Sequence, residues 1–153
     1  MSQSATIKFQ NRKATDFIAV HCAATDAQDI GAKEIDVWHR QRGFLCIGYH
    51  FVIRRDGRLE DGLNSPCRPT TAIGAHVQGY NHNSIGICMV GGGSAKENNN
   101  FTAPQWATLE TLLRDLKHEY PDAVIQGHRD FPDVTKWCPS FDTKKWVTER
   151  GIA

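Results

Sequence analysis

Two apolar runs of strand length lead to histidines: Phe17-Ile18-Ala19-Val20 to His21, and Ala123-Val124-Ile125 to His128. A strand that is apolar at consecutive positions is covered on both faces, so these runs require a sheet with layers above and below it. Ser84 to Val90 reads as another interior strand, and Tyr49 to Arg54 as a further one. Asp56-Gly57 is a hairpin signal that pairs residues 51–53 antiparallel with 58–60.

The covering layers are legible as helices. Lys33 to Arg42 carries Ile35 and Trp38 on one face and basic residues in its last turn, with Gly43 placed to end it. Gly91 through Asn100 is a loop that buries no apolar surface. Thr102 and Gln105 then form a capping box, and Trp106, Leu109, Leu112, Leu113 and Leu116 make the apolar face of the longest helix, which Pro121 stops. A short helix over 142–149 packs through Trp146 and Val147. The expectation is an α/β single domain over residues 1–153, with 1–16 as an N-terminal extension and no linker that splits off a second domain.

Composition narrows the partners. Of 153 residues, 18 are Lys or Arg and 17 Asp or Glu, so a formal charge of +1 argues against nucleic acid or an anionic membrane. No stretch reaches the ~18 apolar residues of a membrane span, and the N-terminus carries no signal-peptide core. Synthesis in the cytosol and a monomeric state are expected. Five cysteines without paired spacing give no disulfide framework. Cys22, Cys46, Cys67 and Cys88 read as small buried hydrophobes, whereas Cys138 sits in a turn-rich loop two residues after Lys136 and directly before Pro139.

His21, His128 and Cys138 thus stand where ligands are held rigidly. Imidazole nitrogen and thiolate sulfur suit zinc, and three protein ligands leave a fourth position for water, the pattern of a catalytic site. Cys22 does not fill that position, because side chains alternate along a strand and it faces away if His21 faces the metal. The plainer alternative is two hydrogen-bonded histidines and an inert thiol.

The segments Val20-His21-Cys22-Ala23-Ala24-Thr25, Gly48-Tyr49-His50-Phe51-Val52-Ile53-Arg54-Arg55-Asp56-Gly57, Gly79-Tyr80-Asn81-His82-Asn83-Ser84-Ile85-Gly86 and Cys138-Pro139-Ser140-Phe141-Asp142 resemble the bacteriophage T-seven lysozyme type of zinc N-acetylmuramoyl-L-alanine amidase. These amidases are related to the peptidoglycan recognition proteins. The motifs run in family order from about residue 17 to about 146. The resemblance implies a mixed central β-sheet flanked by helices, Zn2+ on His21, His128 and Cys138, and catalytic side chains at Tyr49 and Lys136. Gly127-His128-Arg129-Asp130 and the insertion before Lys136 are closer to bacterial and animal relatives than to the phage prototype.

The implied reaction is hydrolysis of the amide between N-acetylmuramic acid and the L-alanine of the stem peptide, as in an endolysin that reaches the wall after the membrane is permeabilised. Lys136 then places an ammonium beside the oxyanion, and Tyr49 steers a proton or bonds the zinc water. His50, next in sequence, is expected to be structural. His76, Asn81 and Asn83 are candidate contacts to the muramyl or peptide moiety, with turn formation as the competing explanation. Two other functions stay open: a non-catalytic peptidoglycan-binding module, against which Cys138 argues, and an additional role as an inhibitor of phage RNA polymerase.

Overall fold

A computed structural model describes residues 7–93, 97 and 100–152. Five strands form one sheet: β1 (Phe17–Cys22), β2 (Phe51–Ile53), β3 (Leu59–Glu60), β4 (Ser84–Met89) and β5 (Val124–Gly127), in the order β3-β2-β4-β1-β5. β2, β4, β1 and β5 are mutually parallel and β3 is antiparallel to β2, so the sheet is mixed. Pairing of Val52 with Glu60 and of Ile53 with Leu59 is the register expected from the Asp56-Gly57 turn. Both edges are short, which limits edge-to-edge association.

The two layers follow from strand alternation. Ile18 and Val20 of β1, with Ile85, Ile87 and Met89 of β4, face α2 (Ala103–Glu119), which buries Leu109, Leu112, Leu113 and Leu116 against them. Thr102 caps α2 by accepting from the Gln105 backbone N–H, and the Gln105 side chain returns to the Thr102 N–H at 3.0 Å. Val52 and Cys88 on the opposite face pack on α1 (Ala32–Gln41) through Ala32 and Ile35. α3 (Thr143–Glu149) starts at the Asp142 cap and closes the α2 side with Val147.

Three expectations are corrected. Trp38 is 39% exposed, and α1 instead buries His39, whose Nδ1 accepts the Gly48 N–H at 3.0 Å. Tyr49 and His50 precede β2 rather than lying within it. The N-terminal extension is partly built into the domain: Ile73 donates to the Gln10 carbonyl, Arg12 to that of Thr71, and the Arg12 guanidinium to that of Ala72. Its first six residues, and parts of the expected 91–100 loop (94–96, 98 and 99), lie outside the described residues.

Candidate metal centre

β1 and β5 are adjacent and in register, with Val20 beside Gly127, so the residue that follows each of these two points brings His21 and His128 to the same end of the sheet. That is the carboxyl end of the parallel strands, where α/β sheets place their sites. The two rings are 4.6 Å apart between centroids. His21 is buried on the α1 side of β1, and His128 opens a 3-10 turn over His128–Asp130. The Arg129 N–H donates to the Cys138 carbonyl at 2.9 Å, which ties the Cys138 loop to that turn. One donor atom from each of His21, His128 and Cys138 lies within 4.8 Å of the others.

Their surroundings favour metal-binding protonation states. Burial and the nearby Lys136 ammonium lower His128 to about 4, and burial with His76 and His128 keeps His21 well below its ordinary value. Both imidazoles therefore keep a lone pair at neutral pH. The hydrogen bond with Cys22 and burial push the Cys138 thiol up. Opposing this, the Cys22 backbone N–H points at its sulfur from 3.2 Å and stabilises the thiolate once charge develops there. The Cys22 side chain packs into the α2 core and lies near Ser140, but its thiol also meets that of Cys138, so strand alternation does not turn it wholly away from the centre.

A cavity of about 1290 Å³ is lined by His128 and Cys138, with His21 buried beside them. α1 and the following turn supply Trp38, His39, Arg42 and Phe44, and the 132–136 loop supplies the other rim. Tyr49 and Lys136 line it together with His128 and Cys138, so the two expected catalytic side chains stand beside the donor cluster. The Tyr49 ring is 5.0 Å from that of His21. Burial, then the thiols of Cys88, Cys138 and Cys22, raise its phenol well above 10, which makes it a hydrogen-bond donor and not a base.

The remaining expected contacts separate. His76 lines the cavity and its Nδ1 is 2.9 Å from His21 Nε2. Asn81 also lines it, but its Oδ1 accepts from the backbone N–H groups of His76 and Val77, both at 2.8 Å. Asn83 lies outside the cavity, in a separate depression, with its amide donating to Asp16. It ends the 3-10 turn over Asn81–Asn83, just before the amino end of β4 and away from the carboxyl strand ends. His50 is structural: it accepts the Gly86 N–H at 2.9 Å on Nδ1 and meets the Ala72 carbonyl at 2.7 Å on Nε2.

Sequence reasoning missed the Cys22 peptide donor and the wall from α1. The signal for the wall is Trp38, an aromatic that the sequence places on one helix face with Ile35.

A family model described as N-acetylmuramoyl-L-alanine amidase matches residues 11–141. An endolysin of Enterobacteria phage K11 is 47% identical over 94% of this chain and 92% of its own length. The endolysin of Escherichia phage T7 is 46% identical over 93% and 91%. Among solved structures, the N-acetylmuramoyl-L-alanine amidase LysC from Clostridium intestinale superposes with a TM-score of 0.78 at 25% identity, over 100% of this chain and 96% of that one. With the family model spanning the fold and the donor cluster alike, the chain belongs to the N-acetylmuramoyl-L-alanine amidase family, as an amidase of the endolysin kind.

Proposed function

We propose that this amidase is zinc-dependent and that His21, His128 and Cys138 hold the ion, with peptidoglycan entering over Trp38 and Phe44. The observation that carries this is the convergence of two imidazoles and one sulfur beside the cavity that Tyr49 and Lys136 line. The donor set fits zinc, which takes N and S ligands and leaves a fourth position open in catalytic sites. Bound there, zinc would lower the pKa of its water to about 7 and polarise the scissile carbonyl.

The chain's own groups divide the remaining work. Lys136 brings a positive charge to the rim and stabilises the oxyanion formed when the muramoyl carbonyl is attacked. Tyr49 donates from its phenol to an oxygen at the reacting centre. Among the described residues lining the cavity, Asp133 is the one carboxylate, and it stands on the rim. A glutamate base is therefore not part of this site, and the attacking water is oriented by Tyr49.

Metal analysis joined to product chemistry on purified sacculi tests the reading. Equimolar zinc should accompany the wild-type chain and be lost in Cys138→Ala. Digestion should release new L-alanine amino termini without new reducing sugar ends. A metal-free chain with full activity would overturn the zinc assignment and leave the family assignment standing.

A further inference from the structure

We propose that His76 is a positioning residue: with Ser84 behind it, it fixes the tautomer of His21, so that His21 turns Nδ1 to the metal. This rests on the reading of His21 as a ligand.

The argument starts at the far end of the chain of contacts. The Ser84 hydroxyl, buried at the first residue of β4, is 2.7 Å from the Tyr80 carbonyl oxygen and 3.3 Å from His76 Nε2. A carbonyl only accepts, so the single hydroxyl proton goes to Tyr80, and the serine oxygen is left to accept from His76. His76 Nε2 therefore carries a proton. The ring is buried with the imidazoles of His21 and His50 at 5.0 and 5.7 Å between centroids, and one proton satisfies both of its contacts, so it stays uncharged with one proton only.

His76 Nδ1 then bears the lone pair, and it lies 2.9 Å from His21 Nε2. Two lone pairs do not face each other at that distance, so His21 Nε2 donates. His21 is 1% exposed and likewise uncharged, which leaves Nδ1 as its only lone pair. A ligand histidine that donates its other N–H to a fixed acceptor is oriented and made more basic.

The fold holds His76 in this role from three sides. A Cβ at Gly86 would come within 2.6 Å of the His76 ring, and one at Gly74 within 2.7 Å, so the ring occupies a slot that two missing side chains create. Asn81 holds its backbone through the two bonds already described. His76 is thus given a positioning role behind His21 in addition to its place in the cavity wall.

Long-range 1H–15N correlation spectra of the metal-free protein read both tautomers directly, with His76→Asn and Ser84→Ala providing assignments. Both rings should carry the proton on Nε2, and Ser84→Ala should mix the forms of His76. Zinc affinity, measured by competition with a chelator, should fall about 10–100-fold in His76→Ala. His76→Asn, whose Oδ1 replaces the Nδ1 acceptor, should recover most of that loss. A proton on His21 Nδ1 in the wild type, or a His76→Ala variant that binds zinc as tightly as wild type, would overturn the proposal. A wild-type chain with both Nε2–H tautomers but no zinc affinity would sink the ligand reading instead, and the hydrogen-bond chain would stand.

Discussion

The backbone N–H of Cys22 lies 3.2 Å from the sulfur of Cys138, across 116 residues of sequence. A peptide donor aimed at a thiolate makes a charge-assisted bond that no side-chain replacement at residue 22 removes. Strand β1 thus gives the centre two things at consecutive residues, an imidazole from one face and a peptide N–H from its edge.

Cys22→Ala should therefore retain equimolar zinc, whereas Cys138→Ala should not. Its cost falls on the α2-side core, where the lost sulfur should lower stability by about 1 kcal/mol, and on the thiol contact with Cys138. Thermal melts of the metal-free variant together with metal analysis measure the two effects separately. Zinc loss in Cys22→Ala would mean that its thiol, rather than its peptide group, is the contact that matters.

Lys136→Ala and Tyr49→Phe should keep zinc and lose turnover. For Lys136 the loss expected from removing one oxyanion donor is about 10²–10³ in kcat. Steady-state kinetics on a soluble muropeptide should show kcat and kcat/KM falling together, the sign of an interaction made in the transition state. An altered KM with unchanged kcat would move Lys136 to substrate binding.

Gly86→Ala should act at a distance from its own strand. The added methyl meets the His76 ring at 2.6–2.7 Å, closer than real contacts allow, and His50 donates no room because Gly86 N–H is its partner. Overpacking of this kind costs about 1–3 kcal/mol. Denaturant unfolding of the metal-free protein gives that loss, and a chelator titration should show weaker zinc binding in the same variant.

β1, α1 and α2 could be read from the sequence because each is dictated locally: a continuous apolar run, a terminal glycine, and a Thr102 to Gln105 box that the structure reproduces. The donor residues were legible as strand-end positions, but their meeting depends on β1 and β5 being neighbours, which no local pattern encodes. His76 and Asn83 look alike in sequence, two polar residues ahead of β4. They separate only in three dimensions, because His76 has a partner 55 residues away and Asn83 bonds to Asp16 outside the cavity. Helical periodicity puts Trp38 on one face with Ile35 without saying whether a cavity or a sheet lies opposite.

Acid should destabilise the metal-free fold over a defined window, and His50 is the cleanest source. Burial, with Arg12 and Arg68 adding to it against the pull of the Ala72 carbonyl, lowers its folded pKa to about 4 from an unfolded value of 6.5. Because the folded value is the lower one, the unfolded chain binds more protons between these limits, so stability is full above about pH 6.5 and falls as pH drops toward 4. A shift of that size corresponds to about 3 kcal/mol for a fully buried group. His39 and His128, also lowered to about 4, act in the same direction. Urea unfolding of the metal-free protein at several pH values should show this slope. His50→Asn, whose Oδ1 accepts the Gly86 N–H but does not titrate, should be less stable at pH 7 and show a shallower slope. An unchanged slope in that variant would mean that His50 ionises in the folded protein as it does in the unfolded chain.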